Sequence, residues 1–217
     1  MKKGPVRLDR RSMLAGVRAL TKKDRPLARV VSLHGPPPMW ARRPGIATLV
    51  RIVLEQQVSL ASGKAIYLRL ERSLGVVTSK TILHRGEAGL RRLGLTRQKA
   101  GYCVGIARSV LGGALNLRRV ARASDMDARE ELMRVKGIGP WTADIYLLMA
   151  LRRPDVWPTG DIALHTGLQV LRRLPQRPTS EHAEKIAHRW SPWRSVAARI
   201  VWHGYLEGTL RRGGHVR

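Results

Sequence analysis

The residues best suited to chemistry in this chain lie in two short stretches, Val135-Lys136-Gly137-Ile138-Gly139-Pro140-Trp141-Thr142-Ala143 and Pro158-Thr159-Gly160-Asp161. In the first, two glycines flank one apolar residue. The backbone can turn sharply there while Ile138 plugs a core, and amide N–H groups are left uncovered where a helix opens near Pro140. Such groups suit a phosphate, because the helix dipole attracts an anion and Lys136 beside the turn adds a full charge. Gly-x-Gly alone reads first as an ordinary helix–helix turn. In the second stretch Asp161 precedes the apolar-periodic Ile162-Ala163-Leu164 and reads first as an N-cap, a position where dipole and amide donors also stabilise negative charge.

The surrounding composition favours the phosphate reading. Lys and Arg number 41 against 15 Asp and Glu, a formal charge of +26 spread along the whole chain, so a polyanion is the expected ligand. A purely structural basic protein, such as a ribosome-associated one, would share that balance. With 217 residues, 43% of them hydrophobic, the chain can form one compact domain or two small lobes around a cleft. Cys103 is the only cysteine, which excludes an internal disulfide, a four-cysteine zinc site and a cysteine-ligated iron–sulfur cluster, and suggests a reducing compartment. No run reaches the roughly 18–20 apolar residues of a membrane span. Behind its charges, Met1-Lys2-Lys3-Gly4-Pro5 lacks an apolar signal core. A cytoplasmic, nucleoid-associated monomer with no membrane partner is the expectation.

Apolar spacing is helical nearly everywhere, as in Ile46, Leu49, Val50, Val53, Leu54 and in Val196, Ala197, Ile200, Val201, so the fold class is all-α. Gly35-Pro36-Pro37-Pro38 and Arg177-Pro178-Thr179-Ser180 punctuate the helices. Caps are expected at Thr96, at Ser124 with Asp127 as a capping box, and at Ser191 followed by Pro192 at the first helical position. The predicted helices are 10–22, 26–34, 45–58, 60–73, 79–84, 87–92, 97–112, 125–134, 140–151, 162–173, 181–190 and 192–207. Residues 1–25 read as a basic arm whose Met13, Val17 and Leu20 form the face of a docked first helix. Residues 26–217 read as the main unit, with its hairpin at 125–151.

Leu132-Met-Arg-Val-Lys-Gly-Ile-Gly-Pro-Trp-Thr-Ala143, followed by Asp161 in its Pro-Thr-Gly setting, resembles the signature of the helix-hairpin-helix DNA glycosylases. Ile52-Val-Leu-Glu-Gln-Gln-Val-Ser-Leu-Ala61, Thr96-Arg-Gln-Lys-Ala-Gly-Tyr102 and Arg189-Trp-Ser-Pro-Trp-Arg-Ser-Val-Ala-Ala198 resemble its 3-methyladenine DNA glycosylase II branch. The resemblance runs from about Leu27 to Leu206. It implies a compact, two-lobed helical form without the separate N-terminal β domain of longer bacterial members.

What the resemblance implies chemically follows from which residues match. Bifunctional relatives carry a lysine at the position of Trp141, where it forms a Schiff base with the sugar. Tryptophan cannot, so hydrolysis by water without lyase activity is implied, with Lys136 a weak alternative nucleophile. Asp161 becomes the catalytic carboxylate, stabilising positive charge that builds on the sugar as the base leaves and orienting water. No second carboxylic acid accompanies it, which fits an alkylated purine, because N3- or N7-methylation already makes the base a cationic leaving group. Trp141 and Trp202 would line the base pocket and stack on that cation, with Ile145 at a further pocket position and Tyr146 beside it. Gln57 would fill the gap left by the flipped base. Lys136, Gly137, Ile138, Gly139 and Thr142 would hold a DNA phosphate, and a monovalent cation at the hairpin carbonyls could bridge to it. No protein metal site or organic cofactor is expected.

The implied function is therefore monofunctional excision of alkylated purines from duplex DNA in base excision repair. A glycosylase for an oxidised or deaminated base, with a hydrogen-bonding pocket, is the nearest alternative. A non-catalytic hairpin DNA-binding protein is the other, and it would gain nothing from an anion facing DNA.

Overall fold

In the computed structural model of the chain, residues 6–211 are described; the Met1–Pro5 start lies outside them. The helices run α1 (Arg10–Lys23), α2 (Arg25–His34), α3 (Ile46–Glu55), α4 (Leu60–Leu74), α5 (Ser79–Arg92), α6 (Arg97–Leu111), α7 (Leu117–Arg122), α8 (Asp125–Met133), α9 (Pro140–Ile145), α10 (Ile162–Leu171), α11 (Ser180–His188) and α12 (Arg194–Leu206). No strand occurs among the described residues, so the all-α expectation holds. None of the described helices is long and apolar enough to cross a membrane.

The chain divides into two compact units. One is the continuous stretch Arg42–Leu151; the other joins Val6–Ala41 to the chain from Arg152 onward. In the continuous unit, α3 buries Leu49, Val50, Ile52, Val53 and Leu54 against α4, α6 and α9. Each such side chain contributes about 1.5–3 kcal/mol of hydrophobic stabilisation. The apolar face of α6 adds Ala100, Cys103, Val104, Ile106 and Ala107. Burial pushes the Cys103 thiol up to about 12, which leaves it a small core residue without thiolate reactivity.

The discontinuous unit is organised around α12, whose Val196, Ala197, Ala198, Ile200 and Val201 are fully buried against α10, α2, α1 and α11. Buried Asp24 ties this unit together. It ends α1, caps α2 by accepting from Leu27 N at 3.2 Å, pairs with Arg172, and accepts the Trp190 indole N–H at 2.8 Å. The docked first helix is present, with Met13, Val17 and Leu20 on its buried face.

Several local readings need correction. The helix predicted over 45–58 stops at Glu55, because Gln56 turns to extended backbone with ψ 131 and Gln57 follows at φ +55. Helix α12 begins at Arg194 instead of Pro192, and Ser191 spends its hydroxyl on Asp155 at 2.8 Å. Ser124 does cap α8, accepting from Asp127 N at 3.1 Å. The reciprocal contact differs from a capping box, since the Ser124 hydroxyl donates to the Asp127 carboxylate at 2.7 Å. The segment predicted as one helix over 140–151 changes pitch after Ile145 into a π-helical turn closed by Leu151 N to Tyr146 O at 3.1 Å. Helix α7 had no sequence expectation. At six residues it is too short for periodicity, yet Asn116 caps it by accepting from Arg118 N and Arg119 N.

Candidate functional site

In the continuous unit the hairpin leaves α8 through Val135, whose carbonyl accepts from Ile138 N at 3.0 Å. Gly137 has φ +96, and a Cβ there would lie 2.4 Å from Cγ of the Tyr102 ring. No side chain larger than hydrogen fits at that point. Ile138 is buried as expected, while Lys136, Gly139 and Pro140 are exposed. Gly139 caps α9 without a side-chain hydrogen bond, and Pro140 follows at the first helical position. Thr142 is different. It is 1% exposed and its hydroxyl oxygen accepts from Gln56 Nε2 at 2.7 Å, so it braces the hairpin from behind.

Gln56 also donates to the Gly137 carbonyl at 3.0 Å. The Val135 and Gly137 carbonyls thus each accept a hydrogen bond within the protein. Neutral oxygens of this kind fit a hard monovalent cation in donor type. Among the described residues no group of three or more His, Cys, Asp or Glu side chains could hold a metal ion.

The expected wedge residue lies in the same unit. Gln57 is exposed, with φ +55, between the end of α3 and the start of α4, and Val58 and Leu60 beside it are 41% and 65% exposed. Just behind it Lys99 Nζ donates to the carbonyls of Leu54 and Gln56, both at 2.8 Å. Burial pushes the Lys99 ammonium below the usual lysine value. Glu55, the last residue of α3, accepts from Arg42 at 2.8 and 3.0 Å and from Arg51 at 3.1 Å.

Trp141 is half-buried on α9. Ile145 and Tyr146 are core residues, 3% and 0% exposed. The Tyr146 phenol oxygen accepts from Gly45 N at 3.0 Å, so its polar end is already used for packing the unit.

In the discontinuous unit Asp161 caps α10. Its Oδ1 accepts from Leu164 N at 2.8 Å and from the Trp202 indole N–H at 3.1 Å. Asp161 is 9% exposed and Trp202 8%. Each of these two contacts is an N–H donated to the carboxylate. One turn further on, His165 is buried, and loss of hydration holds its imidazole below the usual histidine value despite the Asp161 charge. Trp40, which the sequence reading missed, packs edge-to-face on Trp202, with ring centroids 6.4 Å apart at 74°. Its backbone has φ +45, a conformation a bulky residue keeps only where surrounding structure imposes it. Buried Arg199 contributes to that by donating to the Met39 carbonyl at 2.8 Å and to the Ser195 carbonyl at 3.0 Å. The only sequence sign of Trp40 was its place just after the Gly35–Pro38 punctuation.

The chain belongs to the HhH-GPD superfamily of base excision DNA repair proteins, whose family model matches residues 50–192. DNA-3-methyladenine glycosylase of Bacillus subtilis (strain 168) is 33% identical over 108 residues, covering 50% of this chain and 36% of that protein. DNA-3-methyladenine glycosylase 1 of Schizosaccharomyces pombe is 28% identical over 180 residues, covering 81% of this chain and 79% of the relative. The chain thus spans about a third of the first relative's length and most of the second's. Its fold matches the structure of the S. pombe 3-methyladenine DNA glycosylase in complex with abasic DNA, with a TM-score of 0.79 and 27% identity over 87% of this chain and 95% of that one.

Proposed function

We propose that this protein is a monofunctional DNA glycosylase that removes alkylated purines from duplex DNA in base excision repair. The observation that carries the reading is Asp161 holding the indole N–H of Trp202 on its Oδ1. A fixed anion and an electron-rich aromatic face are joined there in one arrangement. An N–H that donates to an anion pushes electron density back into the indole ring, which strengthens the attraction of its face for a cationic base. A base methylated at N3 or N7 is such a cation. When its C1′–N bond breaks, the electron pair leaves with the base, which becomes neutral, and the positive charge passes to the sugar. Asp161 stabilises that charge. Water then adds its oxygen to C1′ and loses a proton, leaving an abasic site and the free base.

Other residues take supporting parts. Gln57, exposed at the end of α3, fills the space vacated by the flipped nucleotide and can hydrogen-bond the orphaned partner base. Lys136 and the Gly137–Gly139 backbone receive a phosphate, with a monovalent cation on the neighbouring carbonyls adding positive charge. Trp141 stands where a Schiff-base lysine would be needed for strand cleavage.

The test is single-turnover excision by the wild-type protein and by Asp161→Asn, on DNA carrying 3-methyladenine, 7-methylguanine, hypoxanthine or 8-oxoguanine. Asparagine caps helices about as well as aspartate and its amide oxygen can accept the same two N–H groups, so the variant should fold. Release of the methylated purines should be fastest in the wild type and fall by orders of magnitude in the variant, each tenfold being about 1.4 kcal/mol. Near-normal excision by folded Asp161→Asn would end the catalytic assignment. Preferential release of a neutral base would replace the alkylated purine as substrate.

A further inference from the structure

We infer that Gln56 and Lys99 are positioning residues that lock the wedge Gln57 and the hairpin into one rigid DNA-gripping body, with α6 as its base. This rests on the glycosylase reading above, in which Gln57 displaces the base and the hairpin holds a phosphate. The side chain of Gln56 spans from the end of α3 to the hairpin, donating to the Gly137 carbonyl at 3.0 Å and to Thr142 Oγ1 at 2.7 Å. Its own carbonyl is held by Lys99, which bridges it to the Leu54 carbonyl, with both contacts at 2.8 Å. These two oxygens belong to the orphan acceptors at a helix C-terminus, and Lys99 supplies a donor to both. Lys99 therefore fixes where α3 stops, and so where Gln57 takes up its φ of +55.

Three residues along α6, Tyr102 supplies the ring against which Gly137 turns, with no space for a Cβ between them. One face of α6 thus seats the wedge through Lys99 and the hairpin through Tyr102, and Gln56 closes the triangle. The consequence is mechanical. Once a phosphate seats on the hairpin, the height of Gln57 over the base stack is set, and little further conformational entropy is lost when it enters the helix. Docking and base displacement become one step.

The experiment uses the full chain and a duplex carrying 2-aminopurine beside a stable tetrahydrofuran abasic nucleotide, whose fluorescence reads wedge insertion without chemistry. Gln56→Met keeps the volume and removes the donor. It should lower the insertion equilibrium by about tenfold, the loss expected of two neutral hydrogen bonds, and lower affinity for undamaged duplex by clearly less than that. Lys99→Met should act in the same direction, and Lys99→Arg should restore most of the insertion. In a Gln57→Ala background Gln56→Met should cost less than twofold more, because it works through Gln57. An additive loss in that double variant, or an equal loss of undamaged binding, would overturn the proposal in favour of a general packing role. A wild-type chain that inserts its wedge but excises no methylated purine would sink the functional reading and leave the coupling standing.

Discussion

Trp202 donates its indole N–H to Oδ1 of Asp161 at 3.1 Å, on the same oxygen that accepts the Leu164 amide at 2.8 Å. The cap of α10 and the candidate catalytic anion are therefore one group. The two uses are separable, because the amide serves the helix and the indole serves the orientation of the charge.

Trp202→Phe retains a smaller aromatic face and loses the donor along with the rest of the pyrrole ring. A hydrogen bond to a charged group contributes roughly 1.5–3 kcal/mol, so excision of 7-methylguanine should slow by about ten- to a hundredfold in single turnovers. Helix α10 should survive, since Leu164 still caps on Asp161. If Trp202→Phe excises at the wild-type rate while Trp202→Ala does not, the indole acts by stacking alone.

Borohydride should trap no covalent complex between the protein and abasic DNA, because Trp141 offers no amine at the position where lyases carry lysine. Lys136 is exposed and is the nearest amine in sequence, so the control is Lys136→Ala. Efficient trapping that survives it would show another amine to be the nucleophile and would overturn the monofunctional assignment.

Affinity for undamaged duplex should fall steeply with salt, each neutralised phosphate contributing about −0.9 to the slope of log K against log salt. Lys136→Ala should reduce the magnitude of that slope by no more than about one such contact. An affinity indifferent to salt would remove the argument from charge.

Gly137→Ala should be costly in two measurements at once. The added Cβ would lie 2.4 Å from Cγ of Tyr102, at a φ of +96. Overpacking of this kind typically costs about 1–3 kcal/mol, and the strained backbone adds to it. The melting temperature should drop and duplex affinity should weaken, and Tyr102→Ala should recover only the part due to crowding. Unchanged stability in Gly137→Ala would mean that the hairpin is looser than its geometry implies.

Helical periodicity made most of the architecture legible, because Val50, Val53 and Leu54 on α3 or Ile200 and Val201 on α12 recur at the spacing that burial on one face demands. The kink of α5 at Gly86, with φ +66, was also legible, since a glycine separated the two predicted helices 79–84 and 87–92. The turn at Gly137 and the cap at Asp161 were readable for the same local reason. Long-range polar pairing was not. Lys99 bonds carbonyls more than forty residues away, and every residue presents a carbonyl, so no local pattern announces which two a lysine will find. Trp40 and Trp202 are likewise partners only because the fold of their unit brings them together. Ile145 and Tyr146, named from resemblance alone, are core residues, because the chain passes from α9 into a π-helical turn that faces the interior.

The two units also differ in how the ribosome would deliver them. Arg42–Leu151 emerges as one uninterrupted segment, so its core can close by contacts of modest sequence separation while later residues are still being added. The other unit must wait. Its Leu8 N–H pairs with the Arg152 carbonyl at 2.7 Å across the whole of the first unit, a closure that carries the entropy of a long loop. Trp202 follows Asp161 by 41 residues. Asp161 therefore gains its indole partner only after the whole of Arg42–Leu151 has been made, and a nascent chain halted after Leu151 would carry the hairpin and Gln57 without the candidate catalytic carboxylate.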